Sequence, residues 1–193
     1  MRKLAAVLVA DWKPEIAVFL LVAFLLARHA STTNFDRSQQ VEIVMGNSHT
    51  ITSTRLDWDR VEAMRGIVKD VHRDVKEYLP LLGDGGESFI AKPICIRGEA
   101  STEKIKAELA KRRLKSADAT QLALYGLATR LKDLPSGYRE ISALGQQRTM
   151  NLKIAKHIVL ASLELKDDGK IRVTTSLPTT SWVDTCVLAL APT

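Results

Sequence analysis

The chain has 193 residues, 46% of them apolar and 26% charged, with a formal net charge of +6. This is ordinary globular composition, which excludes general disorder and suits one domain with an appendage. The positive excess is mild: it favours an anionic partner, nucleic acid or phospholipid headgroup, without demanding one.

Ile16 to Ala27 is a run of twelve apolar residues with no charge or breaker. It has no polar face at any helical period, so it must be surrounded by lipid or by protein. Twelve residues of helix rise about 18 Å, short of a hydrocarbon core of about 30 Å. The flanks lengthen it. Asp11 suits an N-cap, Pro14 a first turn, and Glu15 the positive end of the helix dipole. A helix from Trp12 to His29 would reach about 27 Å, with an aromatic residue at one end and Arg28-His29 at the other. We therefore expect a single-pass, membrane-associated protein anchored by Trp12, Ile16, Phe19, Leu20, Phe24, Leu25 and Arg28. The alternative is a helix inserted into protein within a large assembly. A cleavable signal is the weaker reading, because Asp11, Lys13, Pro14 and Glu15 interrupt the apolar run from Leu4 to Ala10. Residues 1–30 thus form the appendage, polar residues 31–40 a linker, and 41–193 one domain.

Val41 to Met45 alternates, Gly46-Asn47 signals a turn, and His49 to Arg55 is rich in β-branched residues, so a hairpin is expected. Asp57 opens what reads as the clearest helix, closed by Pro80. Its apolar stripe, Val61, Met64, Val68, Val71, Val75 and Tyr78, advances in steps of three and four. That stripe should pack on the domain's own sheet; Val61, Met64, Val68, Val71 and Val75 are also the candidates for a partner-binding helix face. Gly83 to Gly86 makes a turn into a strand from Ser88 to Arg97, where Pro93 requires an edge position or a bulge. The glycines precede a strand, which is the wrong order for a phosphate cradle.

Ser101 caps a helix to about Leu114, and Ser116 opens another to Leu134 with Leu124, Leu127, Leu131 and Leu134 on one face. Tyr138 to Arg148 is ambiguous and reads best as a short helix. From Lys156 the pattern turns to strands: His157 to Leu165, Ile171 to Leu177, and Trp182 to Ala191. Turns at Asp167-Asp168-Gly169 and Pro178 to Thr180 suggest an antiparallel meander. The expected fold is α+β: an antiparallel sheet of about five or six strands, an N-terminal hairpin plus a C-terminal meander, covered by two or three helices, with an N-terminal apolar helix.

Cys95 and Cys186 lie in apolar, strand-like contexts with no zinc or redox spacing. They read as buried thiols that could pair across neighbouring strands in an oxidising compartment. Asp57 and Asp59 read as helix-start acids rather than a catalytic pair. His72, between Asp70 and Asp74, does not share a helix face with them, and His29, His49 and His157 lack partners at ligand spacing. No nucleophile motif occurs. We therefore name no catalytic, cofactor or metal residue. Lys104, Lys106, Lys111, Arg112, Arg113 and Lys115 form a basic run interrupted by Glu103 and Glu108. A solvated face is the plainer reading; the sharper one makes Lys104, Lys111, Arg112, Arg113 and Lys115 an anion or nucleic-acid contact, though no aromatic residue interleaves. The expected function is a non-enzymatic, membrane-anchored accessory or assembly protein whose domain binds a protein partner or a second copy. The alternatives are a structural subunit of a virion or secretion apparatus and, more weakly, a nucleic-acid-binding module.

Overall fold

A computed structural model describes residues 42–83, 85–151, 156–177 and 182–192. Among these the chain runs β1 (Glu42–Met45), β2 (His49–Thr52), α1 (Trp58–Ala63), β3 (Val68–Val71), α2 (Arg73–Tyr78), β4 (Ser88–Ala100) and α3 (Thr102–Lys111). It continues through β5 (Lys115–Ser116), α4 (Ala119–Thr129), β6 (Glu140–Ser142), β7 (Arg148–Asn151), β8 (Lys156–Leu165), β9 (Ile171–Ser176) and β10 (Trp182–Ala191).

Strands β4 and β10 are antiparallel neighbours over most of their length. Pro93 to Ile96 and Cys186 to Ala189 are each buried in unbroken succession, which requires both faces of these strands to be covered. One face carries Cys95, Cys186 and Leu188 into a core with Trp58, Val61, Val75, Leu122 and Tyr125, supplied by α1, α2 and α4. The opposite face carries Ile94, Ile96, Val187 and Ala189 into a second core with Ile105 and Leu109 of α3. Cys95 lies directly opposite Cys186, and the two form a disulfide.

The expected sheet is corrected in size and in kind. All ten described strands join one mixed sheet, ordered β1-β4-β10-β6-β8-β9-β3, with β2 also on β4, β5 on β10 and β7 on β8. β10 runs parallel to β6, and β3 parallel to β9. The C-terminal meander holds only for β8 and β9; β10 then returns to the centre of the sheet. Its two apolar faces need covering on both sides, which an outer meander position would not supply. Strands β5, β6 and β7 have two to four residues, too few to show a period. Glu140 to Ser142 is accordingly strand within the segment expected as a short helix.

The expected helix from Asp57 to Pro80 is two six-residue helices separated by edge strand β3. The reason lies in the bulge. The register of β3 on β9 shifts between Val68 and Asp70, so Val68 and Val71 both point into the core although three residues apart. A bulged strand has reproduced the i, i+3 spacing of a helix. Gly66 and the β-branched valines weaken the helix where it breaks.

The hairpin is corrected too. β1 and β2 do not pair with each other; both lie on the same side of β4 as successive parts of one edge strand, bulged at residues 46–48. Pro93 explains this. It has no N–H for the ladder, and its ring occupies the space where a side chain at position 46 would sit. The edge strand bulges there and places Gly46, whose N–H donates to the Pro93 carbonyl at 2.9 Å.

The membrane-anchor expectation is also withdrawn. No helix among the described residues is long and apolar enough to cross a membrane. The longest of them, α4, has eleven residues and rises about 16 Å. The apolar run and its flanks, including Trp12, Ile16, Phe19, Leu20, Phe24, Leu25 and Arg28, lie outside the described residues.

The disulfide closes a sequence separation of 91 residues. Replacing both cysteines with alanine should therefore lower the unfolding free energy by about 2–4 kcal/mol, read as a lower urea midpoint. An unchanged midpoint would show that strand pairing alone carries this junction.

Candidate edge-binding site

The open margin of β1 and β2 is where backbone groups, an apolar cleft and a polar cluster meet. Gly46 N donates to Pro93 O and Ser53 N to Glu87 O. Bonded pairs alternate along an antiparallel ladder, so Val44 and Ile51 turn their backbone groups toward β4. Ile43, Met45, Thr50 and Thr52 therefore turn theirs toward the open edge. Among the described residues β4 is the only strand beside β1 or β2.

Between β1 and α3 runs a shallow apolar cleft with room for about one water molecule, about 10 Å³. Ile43, Ile94, Ile96, Ala100 and Ile105 line it, with Lys104 and Glu108 at its rim. The cleft exists because α3 packs over β4 and β10 and stops short of the outermost strand. Ser101 fixes the start of that helix by accepting from Lys104 N at 3.1 Å. Met45 lies two residues from Ile43 on the same strand and is 54% exposed.

On the other face, the bulge gathers His49, Asp133 and Tyr125. His49 Nε2 lies 3.1 Å from Asp133 Oδ2, within ion-pair reach, yet out of line for a hydrogen bond. The two rings of His49 and Tyr125 meet edge-on with centroids 6.0 Å apart. Asp133 arrives through a strained turn. Arg130 and Leu131, which follow α4, both have φ of 55°, the left-handed region that costs an ordinary residue about 1–2 kcal/mol. Burial of Leu131 in the core and its N–H bond to Thr129 Oγ1 offset that cost. The result fastens the loop after α4 to the beginning of β2.

Tyr125 is fully buried and its hydroxyl has no hydrogen-bond partner. Burial pushes its pKa up to about 12; the nearby Thr129 hydroxyl opposes the rise and the Asp133 carboxylate adds to it. Thr129 gives its own proton to the Tyr125 carbonyl.

The residues singled out in the sequence fall elsewhere. Val61, Val68, Val71 and Val75 are core residues rather than a partner-binding helix face, and only Met64 of that set is exposed. Lys111 and Arg112 both bind the Glu108 carboxylate at 2.6 Å, which holds Glu108 below its usual pKa, Lys111 first and Arg112 second. Two members of the basic run thus share one carboxylate. Arg113 sits in a left-handed turn, and Lys115 belongs to β5. Lys104 sits at the rim of the cleft. Asp57 caps α1, and Asp59 with Glu62 holds Lys76 of α2. His72 caps α2 through Nδ1, while Asp70 turns to Arg172.

A second polar cluster crosses the sheet. Ser142, Ser162 and Ser176 on β6, β8 and β9 hydrogen-bond in series, and Ser176 donates to Glu140. Ser142 and Ser162 are fully buried, so this ladder fixes strand register rather than offering a nucleophile to solvent. Among the described residues no group of three or more His, Cys, Asp or Glu is placed to hold a metal. Comparison of the chain with family models, curated proteins and solved structures finds no match.

The sequence marks Gly46 only as a turn residue and Met45 only as the end of a strand, and gives Asp133 no role. Pro93 was the available signal, since a proline inside a long strand demands a bulge opposite it.

The Tyr125 shift has a defined pH signature. A phenol protonated more tightly in the folded than the unfolded chain contributes fully below about pH 10, and that contribution is lost as pH rises toward about 12. Ultraviolet titration should show the Tyr125 phenol ionising late, together with alkaline unfolding. Tyr125→Phe should remove that late step and be neutral or stabilising by about 1 kcal/mol at pH 7, because an unsatisfied hydroxyl is deleted. Tyr125 ionising near pH 10 in the folded protein, read as the difference between the parent and Tyr125→Phe titrations, would contradict the burial.

Proposed function

We propose that this protein is a non-enzymatic assembly or accessory subunit that binds protein through the open edge of its sheet. The observation that carries this reading is the bulged strand of residues 42–52. It leaves the backbone groups of Ile43, Met45, Thr50 and Thr52 turned outward beside an apolar cleft. Strand addition at such an edge takes affinity from main-chain hydrogen bonds and specificity from pockets for alternate side chains. The Cys95–Cys186 disulfide supports a working place in an oxidising compartment, where such bridges persist. The local pairing of Lys111 and Arg112 with Glu108 leaves the nucleic-acid reading without comparable support.

Met45→Pro and Thr50→Pro test this directly. Each removes only an outward N–H, leaves the bonds to β4 intact and alters an exposed side chain. Both variants should unfold within about 1 kcal/mol of the parent. They should also fall out of the complex that the parent forms in its source cells, read by native mass and stoichiometry. Retention of both variants in an unaltered complex would overturn the edge reading.

A further inference from the structure

We infer that a groove between the start of α1 and the loop after α2 binds a small aliphatic carboxylate. It has a volume of about 630 Å³, within the usual range of small-ligand sites. Arg55, Leu56, Asp57 and Arg60 line one side, and Leu81, Leu82 and Gly83 the other. It shares no lining residue with the cleft beside β1, so it stands independently of the edge-binding reading.

The two sides are tied to the domain and to each other. The buried Trp58 indole, next to Asp57, donates to the Leu79 carbonyl at 2.7 Å. Leu82 N–H donates to Thr120 Oγ1 at 2.6 Å, and Gly86 N–H to the Ser53 carbonyl at 2.8 Å. Gly85, with φ of 84°, lies so close to Arg55 that a Cβ there would come within 2.9 Å of its backbone nitrogen. These ties set the spacing of the groove, and they hold Leu82 49% exposed beside it.

The lining selects an anion with an apolar body. Leu56 and Leu81 pack on the core and, with Leu82, supply an aliphatic surface. Two guanidinium groups and one carboxylate line the groove, an excess of one positive charge. Asp57 is committed to α1: Oδ1 accepts from Arg60 N at 2.8 Å, and Oδ2 lies 3.4 Å from Arg60 Nε. That contact uses Nε, and the two terminal nitrogens of Arg60 pair with no other described residue. Arg55 likewise has no carboxylate in ion-pair reach among the described residues. A guanidinium fork meets a carboxylate through two parallel hydrogen bonds. The single excess charge suits a monoanion better than a phosphate dianion, and the leucines suit an alkyl chain.

Titration of the full chain with octanoate, followed by methyl NMR, tests the inference. Leu56, Leu81 and Leu82 methyl signals should shift saturably with a Kd of about 1 mM. Octyltrimethylammonium, with the same chain and the opposite charge, should leave them in place at that concentration. Arg55→Gln combined with Arg60→Gln should weaken octanoate by about threefold or more, a solvent-screened effect because both side chains are exposed. Replacing exposed arginines should also leave the fold intact. Leucine signals that do not move by about 10 mM octanoate would overturn the assignment. So would equal binding of the cationic control, or a double variant that binds octanoate as the parent does.

Discussion

The pairing of β4 with β10 is the interaction on which the rest of this structure depends. It joins residues 90–100 to the last strand of the chain and is tied at its middle by Cys95–Cys186. Both strands are apolar on both faces, so neither is stable as an outer strand of a half-wet sheet. Once they pair, α4 and the two short helices must cover one side and α3 the other. Every other strand attaches to this centre: β1 and β2 on the flank of β4, and β6, β8, β9 and β3 in turn beyond β10.

A proline inside that central pair transmits its constraint outward. Pro93 is tolerated because its missing donor faces the flank where the chain can bulge, not the flank bonded to β10. The bulge needs Gly46 for space, and it brings His49 to Asp133 across the strained turn after α4. Edge geometry and the His49 contact thus follow from one residue's lost N–H, while the Tyr125 phenol is buried by the packing of α4 into the core.

Much of this was legible in the residues and some was not. Ser101 as a cap, the α3 helix, the long strands β4, β8, β9 and β10 and the demand of Pro93 all followed from local chemistry. The split of the Asp57 to Pro80 segment did not, because a bulge at Lys69 gives valines the spacing of a helix face. Nor did the position of β10. Sequence order offers β9 as its neighbour, whereas its two apolar faces require the middle of the sheet. Met45 carried no signal as a binding residue, since an isolated apolar residue at a turn is unremarkable until a cleft is found beside it. Asp133 meets His49 only through tertiary folding, at a separation no spacing rule covers.

An open strand edge is ordinarily a hazard, because it can template further pairing without limit. Here the two margins of the sheet differ in kind. The far margin is β3, four residues long, bulged, parallel to its neighbour and carrying Lys69 in an ion pair with Asp168. It offers no counterpart to the antiparallel run of β1, so margin-to-margin stacking of successive copies is disfavoured. The bulge at residues 46–48 divides the near margin into two short runs, residues 42–45 and 49–52. An edge strand bulged opposite Pro93 is thus open enough to bind yet too short to template pairing without limit.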